Sequence, residues 1–345
     1  VFHYLTFLQG KELLPKWIVT IDFIFKRGHL GVHFFFVLSG FLIFFLYLQE
    51  IQRSGKFHPW NFLVRRTLRI WPLFYFVVGI SFLMVYLFPI YGPTEHQSIY
   101  FIFFGSNFNE LKNGLTDAYT LLTVPWSVSI EEQFYLSFAL LAIFWKKVAK
   151  YLPIFLLFVL CFSLCFQGMN YVDDRVRYYH TFSAMGYIAI GGLLAWGYFY
   201  YKEKINLCLP NNYLLRKFVL GLFLALILLK NKILHYGVWI SFELLFIGCI
   251  FAWVILFQIQ VEWRIPKAIK RYIDYFGRIS YGIYMYHMLI FFFLEIAIQK
   301  EWINREFAIY WSVVCVLTTM LISHFSFVLL EKPFLKWKNK FYTHE

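Results

Sequence analysis

Apolar runs long enough to cross a lipid bilayer recur along the whole chain, and this feature limits its possible folds more than any other. A transmembrane helix needs about 20 predominantly apolar residues. Nine runs close to that length are present, with boundaries good to about two to four residues. They lie at 31–49, 68–89, 124–145, 151–168, 180–201, 214–230, 234–258, 273–298 and 307–330.

The chain begins with a further apolar stretch, VFHYLTFL at 1–8, which is too short to span a membrane. It lacks the positively charged start of a signal peptide, so we interpret it as the end of a truncated first helix. The sequence therefore predicts an all-α, polytopic membrane bundle of about ten transmembrane helices, forming one domain over 1–345. A shorter apolar piece at 100–108 is predicted to be re-entrant or interfacial.

The composition supports a membrane protein and argues against several other classes. Hydrophobic residues make up 61% of the chain and charged residues only 15%, against about 25% in soluble domains. Because no soluble domain is predicted, the net charge of +13 does not indicate nucleic-acid binding. The five cysteines form no CxxC pair, so neither a disulfide framework nor a metal site is predicted.

Lysine and arginine residues concentrate in alternate connections between the apolar runs, which predicts the orientation of the chain. Under the positive-inside rule these connections and the short tail after Phe334 face the cytoplasm. The connection at 10–30 is an exception, because it is predicted to lie outside yet carries four cations. We expect a multi-pass protein of the inner or plasma membrane. Cations of the cytoplasmic series include Arg53, Lys56, Lys146, Lys147, Lys150, Lys202, Lys204, Arg264, Lys267, Lys332 and Lys336.

Three arginines stand where the second apolar run begins. Arg65, Arg66 and Arg69 fall within about one and a half helical turns. Arg65 and Arg69 are therefore predicted to share a face, with Arg66 beside them. Guanidinium groups at the mouth of a span need a polyanion, a lipid headgroup or water as partner. These residues alone leave the three partners open.

Ionisable side chains inside spans are costly, so each is a candidate functional group. In WSVSIEEQFYL, the residues Ser127, Glu131 and Tyr135 recur at every fourth position and form one polar stripe on a predicted helix. Glu131 is predicted to be buried and paired with a histidine or arginine of another helix. Glu132 is predicted to reach only the membrane interface.

Two histidines occupy predicted spans near the N-terminus. His3 lies in the first helix remnant, where a structural hydrogen bond and a catalytic role are equally compatible with the sequence. His33 opens the next run, where a boundary histidine is tolerated. In the same run, Gly31 and Gly40 are predicted to let another helix approach closely.

Two segments near the C-terminus carry polar residues. In SYGIYMYH, the residues Ser280, Tyr284 and His287 share a predicted helix face. Packing hydrogen bonds explain them nearly as well as a substrate path does. The sequence Glu-Lys-Pro at 331–333 closes the last run, and we interpret its proline as the helix terminator.

Four separated motifs, in this order, resemble the acyltransferase 3 family of integral membrane acyltransferases, which decorate cell-surface glycans, usually with acetyl groups. They are FHY at 2–4, GVHFFFVLSGFLI at 31–43, RRTLRIWPLFY at 65–75 and WSVSIEEQFYL at 126–136. Weaker support comes from SYGIYMYH at 280–287 and EKPF at 331–334.

The resemblance implies roles for particular residues. His3 matches the family's first-helix histidine, which is considered essential for transfer. Arg65, Arg66 and Arg69 match a basic motif associated with the acyl donor. Glu131 matches the glutamate of the WS-x-S-x-E motif.

We therefore expect a membrane O-acyltransferase that moves an acyl group, foremost acetyl from acetyl-CoA, to a hydroxyl of a cell-surface polysaccharide or glycolipid, without a metal. His3 is expected to be the general base and Glu131 its orienting partner. Further residues predicted to line the substrate path are His33, Ser127, Tyr135, Tyr284 and His287.

A transporter or flippase is the alternative from a different functional class. It would also have about ten helices and would use buried histidine and glutamate as a proton relay. The arginines at one mouth and the absence of an inverted sequence repeat favour acyl transfer.

Overall fold

The structure of the protein is a computed structural model. It describes residues 28–87, 98–113, 121–122, 124–144, 148–169, 172–208, 217, 221–222, 238–260, 266–304 and 307–341. Within these ranges the chain forms helices and no β-strand, which confirms the all-α prediction. In chain order the helices are α1 (His29–Ser54), α2 (Pro59–Leu87), α3 (Ser98–Ile102), α4 (Ser106–Asn113), α5 (Pro125–Phe144), α6 (Val148–Gly168), α7 (Asp174–Tyr179), α8 (Thr181–Cys208), α9 (Val238–Gln260), α10 (Lys267–Gln299), α11 (Ala308–Ser326), a π-helical turn (Phe327–Glu331), α12 (Lys332–Lys338) and a 3-10 turn (Asn339–Phe341).

Eight helical stretches in the described part of the chain are long and apolar enough to cross a membrane. Each coincides with one of the nine predicted runs. The ninth run, at 214–230, lies outside the described residues apart from isolated positions, and the first helix remnant lies wholly outside them. The spans are Leu30–Ser54, Pro59–Leu87, Pro125–Phe144, Ala149–Gly168, Thr181–Ile205, Ser241–Gln260, Lys267–Ile298 and Tyr310–Lys338.

Several of these stretches extend beyond the apolar runs that predicted them, and three extend furthest. The helix predicted at 68–89 begins at Pro59, where proline suits the first helical turn. The helix predicted at 273–298 begins at Lys267, and the last stretch continues to Lys338. Polar residues at helix ends are compatible with a helical backbone but add nothing to hydropathy, so the apolar pattern underestimates these lengths.

The described helices group into two compact units, each assembled from separate parts of the chain. The first unit contains α2 to α4, most of α5, and α10 to α12. The second unit contains α1 and α6 to α9, together with the last residues of α5.

In the second unit, α1 and α8 pack in direct backbone contact through two glycines. A Cβ atom at Gly40 would collide with the carbonyl oxygen of Ile188, and one at Gly191 with the carbonyl oxygen of Val37. Small residues allow this close approach between membrane helices. The prediction is thus confirmed for Gly40. At Gly31 a Cβ would meet no described atom within 4 Å, so close approach there stays a prediction.

Serine side chains connect other helices of the second unit. Ser163 on α6 donates to the carbonyl oxygen of Ser183 on α8, at 3.0 Å. Ser241 on α9 donates to the carbonyl oxygen of Leu164, at 2.7 Å. Short hydroxyl side chains that bond to a neighbouring backbone let these helices pack closely without a buried charge.

In the first unit, the described residues between α2 and α5 include two short helices, α3 and α4, of 5 and 8 residues. Phe104 between them has a left-handed φ of 51°. Its ring packs against Trp71 and Phe74 of α2, with centroids 5.3 and 4.6 Å apart. The piece at 100–108 therefore does not span the membrane, as predicted.

Helix α4 brings polar side chains into the interior of the first unit. Ser106 and Ser129 of α5 share a hydrogen bond of 2.7 Å. Gln133 donates from Nε2 to Asn107 Oδ1 at 2.8 Å and to the carbonyl oxygen of Phe104 at 2.7 Å. One side of α5 is thus held against α4 by side-chain hydrogen bonds.

Helix α11 continues into α12 through the π-helical turn. The N–H of Lys332 donates to the carbonyl oxygen of Phe327, five residues earlier. Pro333 follows in the first turn of α12, and the helix continues past it to Lys338. The interpretation of this proline as a terminator is therefore wrong.

Candidate active site

Arg65 and Arg69, two of the arginines predicted to bind the donor, lie one turn apart on α2. Arg65 donates from Nη1 to the carbonyl oxygen of Phe341 at 2.8 Å, which holds the chain after α12 against α2. Arg69 is exposed. Arg65 thus has a structural partner, whereas Arg69 presents its guanidinium group to its surroundings.

Arg66, the third arginine, points toward α5. Its guanidinium carbon lies 5.6 Å from the ring centre of Phe62 and 5.3 Å from that of Tyr135, within cation–π range. The buried Tyr135 donates its hydroxyl proton to Glu131 Oε2 at 3.2 Å. Tyr135 therefore connects a predicted donor-binding residue with the predicted catalytic glutamate.

The more deeply buried carboxylate of α5 belongs to Glu132. Only 9% of this residue is exposed, and its Oε2 accepts a hydrogen bond from Trp71 Nε1 at 2.9 Å. Its Oε1 has no hydrogen-bond partner among the described residues. Glu131 is partly buried. The expectation that Glu132 reaches only the interface is wrong, because the Trp71 side of α2 packs where Glu132 points.

Two buried carboxylates of the first unit lie within electrostatic range of arginines. The positive charge of Arg66 attracts the carboxylate of Glu132. The positive charge of Arg69 attracts the carboxylate of Glu331 in the π-helical turn. The buried hydroxyl of Tyr281 lies within range of both carboxylates. We call these five residues the carboxylate–arginine cluster. It brings together, within one unit, two arginines of α2, a carboxylate of α5, a tyrosine of α10 and a carboxylate of the π-helical turn.

Sequence reasoning missed two members of the cluster, Tyr281 and Glu331, and Glu331 is the one that carries a charge. It is 6% exposed, and its Oε1 has no hydrogen-bond partner in the part of the chain that the structure describes. The sequence signal is a carboxylate directly after the apolar run FSFVLL. Interpreting the proline two residues later as the helix terminator places this carboxylate at the end of a helix, where it needs no functional explanation.

Two residues predicted to line a substrate path, Ser127 and Tyr284, meet between α5 and α10, and His287 lies beside Tyr284 on α10. Ser127 Oγ and the Tyr284 hydroxyl share a hydrogen bond of 2.6 Å, and Tyr284 also donates to the carbonyl oxygen of Val124 at 3.2 Å. His287 Nδ1 lies 2.5 Å from the carbonyl oxygen of Tyr284. Because a carbonyl only accepts, the proton is assigned to Nδ1. Ser280, predicted on the same face, is exposed and bonds within its own helix.

His33 belongs to the second unit, in the first turns of α1. Its ring stacks on Tyr187 of α8, with centroids 4.4 Å apart and an interplanar angle of 12°. The ring of Tyr178 on α7 meets it edge-on at 6.0 Å. His33 is thus part of an aromatic contact between three helices, and its place in a substrate path stays a prediction.

His3, the predicted base, lies outside the described residues, so its role also stays a prediction. Among the residues that the structure describes, no group of three or more histidine, cysteine or carboxylate side chains is arranged to hold a metal ion.

Known proteins match this chain over most of its length. A family model described as an acyltransferase domain matches residues 1–326. The chain belongs to the acyltransferase 3 family. The match includes the segments that carry the three arginines, both glutamates of α5 and Tyr281, and it ends before Glu331.

Curated relatives are similar at lower identity. O-acetyltransferase OatA of Staphylococcus aureus (strain NCTC 8325 / PS 47) is 25% identical over 330 residues, which cover 90% of this chain and 53% of OatA. The protein SACOL0978 of Staphylococcus aureus (strain COL) is 26% identical over 354 residues, which cover 96% of this chain and 58% of the relative. This chain thus spans a little over half the length of these relatives. No solved structure matches it.

Proposed function

We propose that this protein is a membrane O-acyltransferase that moves an acyl group, foremost acetyl, from acyl-CoA to a hydroxyl of a cell-surface polysaccharide or glycolipid. Family membership favours acyl transfer over the transport alternative, and the name of OatA supports acetyl as the group. The observation that carries the proposal is the carboxylate–arginine cluster, because it combines cations suited to an anionic donor with carboxylates suited to proton transfer.

The donor is proposed to bind through its phosphates. Guanidinium groups bind phosphate by paired, charge-assisted hydrogen bonds that lysine does not reproduce. Because Arg65 already bonds to Phe341, donor binding is expected to depend mainly on Arg66 and Arg69. We include the orientation predicted from the loop cations, in which the donor arrives from the cytoplasmic side and the C-terminus is cytoplasmic, in an inner or plasma membrane.

The chemical step is attack of the acceptor hydroxyl on the thioester carbonyl. His3 removes the hydroxyl proton as the new C–O bond forms, which is typically worth about 10²–10⁴-fold in rate. The C–S bond then breaks, and the proton on His3 passes to the departing CoA thiolate. A carboxylate beside His3 would orient the imidazole and stabilise its protonated form.

Two carboxylates of α5 are candidates for that orienting role. Glu131 matches the family motif and is bonded to Tyr135. Glu132 is more deeply buried, and its Oε1 has no partner among the described residues. An orienting carboxylate needs an oxygen available to accept from the imidazole N–H, and the geometry of Glu132 meets that requirement.

A double-mutant cycle tests the base and selects its partner. His3→Ala is expected to lower acetyl transfer to a soluble sugar acceptor at least about 10²-fold, in a protein that still binds CoA. Glu131→Gln and Glu132→Gln are each measured alone and combined with His3→Ala. The orienting carboxylate is the one whose loss adds little in the His3→Ala background, because residues acting as one unit are not additive.

Glu203→Gln is the matched control, since it removes the same charge from a residue that is exposed on α8. It should leave turnover within about twofold of wild type, in keeping with the small effects of surface substitutions. A well-folded His3→Ala protein with wild-type turnover would overturn the assignment of the base. Full additivity of both glutamine variants with His3→Ala would overturn the orienting role while leaving the base in place.

A further inference from the structure

Helix α11 presents an apolar stripe on its exposed side. Exposed side chains recur along it at intervals of three or four residues, the spacing of one helical face. The stripe suits contact with lipid chains, since α11 belongs to a span of membrane-crossing length. The exposed apolar residues at this spacing are Tyr310, Val314, Leu317, Leu321, Phe325 and Val328.

The stripe ends in a shallow groove on α12. Val328, Pro333 and Trp337 supply its apolar wall, and Lys332 and Lys336 supply two ammonium groups. The two lysines lie one turn apart on the same face. The Trp337 side chain is 57% exposed. The groove thus joins an apolar surface to a pair of positive charges at the end of a membrane span.

Lys332 directly follows Glu331 of the carboxylate–arginine cluster, but Glu331 is buried whereas Lys332 and Lys336 point to the exposed side of the helix. Helix α12 packs against α2, and its partly buried side chains are Phe334, Leu335 and Lys338, whereas Lys332 and Lys336 are exposed. Neither ammonium group has a hydrogen bond or an ion pair with another described residue. Two ammonium groups one turn apart repel each other, and an anion between them relieves that repulsion.

We propose that this groove binds one anionic phospholipid, with its phosphate between Lys332 and Lys336 and an acyl chain along the stripe of α11. Tryptophan is enriched at the headgroup level of bilayers, which fits Trp337 beside the glycerol backbone. Basic pockets at the ends of membrane spans bind anionic headgroups. A free phosphate would use the lysines but leave Val328 and the stripe uncovered, so the lipid is favoured.

Lipid binding to the purified full chain in detergent tests the proposal. Phosphatidylglycerol and phosphatidylcholine with identical acyl chains are titrated separately, and bound lipid is counted by native mass spectrometry. Phosphatidylglycerol is expected to bind at least about 10-fold more tightly. The variant Lys332→Gln/Lys336→Gln should weaken phosphatidylglycerol binding about 10- to 30-fold, since each lysine near a headgroup contributes about 1 kcal/mol.

The control Lys300→Gln/Lys340→Gln removes the same charge from exposed lysines outside the groove. It should bind phosphatidylglycerol as wild type does. Lys332→Arg/Lys336→Arg keeps the charge and should also keep the affinity, which provides a test if the glutamine variant does not fold. Trp337→Leu should weaken the binding of the two lipids by similar factors, each smaller than the loss of phosphatidylglycerol binding in the glutamine variant.

Four results would overturn the proposal. They are equal affinity for the two lipids, equal loss in the control and groove variants, full displacement of phosphatidylglycerol by inorganic phosphate at matched concentration, and a change of oligomeric state in the groove variant without a change in lipid binding. The third result would identify a phosphate site, and the fourth a contact with a second copy of the chain.

Discussion

The two units hold their helices together in different ways. In the second unit, α1 and α8 meet through glycines at backbone contact, and serines bond to carbonyl oxygens of neighbouring helices. In the first unit, side chains of α2, α5 and α10 reach across to one another, as in the pairs Trp71–Glu132 and Ser127–Tyr284. All three buried glutamates among the described residues, Glu110, Glu132 and Glu331, belong to the first unit.

The difference indicates what each unit contributes to the protein. A buried carboxylate costs several kcal/mol in desolvation, and its interactions often recover only part of that cost. Well-packed small residues carry no such penalty. A unit that retains buried carboxylates therefore gives up stability for another purpose, and acyl transfer is the purpose we propose for the first unit. The second unit is expected to depend on close packing and neutral hydrogen bonds.

The largest expected effect comes from breaking the close packing of the second unit. Gly191→Ala would place a Cβ against the carbonyl oxygen of Val37, and separating the two backbones should cost about 3 kcal/mol or more. The variant should melt well below wild type in detergent or fail to accumulate in the membrane.

Gly197→Ala is the matched control on the same helix, because its Cβ would meet no described atom within 4 Å. It should be neutral or stabilising by up to about 1 kcal/mol. If Gly191→Ala and Gly197→Ala melt at the same temperature, the second unit does not depend on backbone contact and the comparison fails.

A smaller effect is expected from removing one donor in the first unit. Trp71→Phe keeps an aromatic ring but removes the N–H that Glu132 accepts. Hydrogen bonds to charged groups contribute about 1.5–3 kcal/mol, so chemical unfolding in detergent should show a loss of that size. Acetyl transfer per folded molecule should fall as well.

Trp60→Phe makes the same substitution at a position of α2 that is 73% exposed, and its effect should stay below about 0.5 kcal/mol. The destabilisation by Trp71→Phe should shrink in a Glu132→Gln background, where no carboxylate charge is left unpartnered. An equal loss of stability in both backgrounds would mean that Trp71 stabilises the first unit by packing, in the same way as the helices of the second unit are held together.

The smallest effect is expected from the neutral hydrogen bond between α5 and α10. Tyr284→Phe and Ser127→Ala should each cost about 0.5–1.5 kcal/mol, and the double variant less than their sum, because both remove the same bond. Thermal unfolding of the four proteins measures this coupling. Tyr310→Phe, at a residue that is 68% exposed, is the control.

If Tyr284 also lines the acceptor path, KM for the acceptor should rise in Tyr284→Phe while kcat is preserved. Unchanged KM together with reduced stability would return the Ser127–Tyr284 pair to a purely structural role and make the two units more alike.

The spans were predictable because crossing a membrane imposes a length on apolar runs, and that length is visible in the sequence. Part of the candidate site was predictable for a similar reason, since four-residue spacing places Glu131 beside Tyr135 on one helix. The contact between Trp71 and Glu132 was not predictable, because spacing along one helix does not say which neighbouring helix packs on which side. Glu331 was missed because the π-helical turn that joins α11 to α12 has no sequence period of its own.

The π-helical turn also determines which way the side chains of α12 point relative to those of α11. Its hydrogen bond reaches back five residues instead of four, so it holds one residue more than an α-helical turn. Each extra residue rotates the following helix by about 100° about its axis. A one-residue deletion between Phe327 and Glu331 would therefore act as a rotation more than a shortening, swinging Lys332 and Lys336 a quarter-turn away from the stripe of α11. In an alignment, a single gap at this place would mark the loss of the groove, although every lysine were retained.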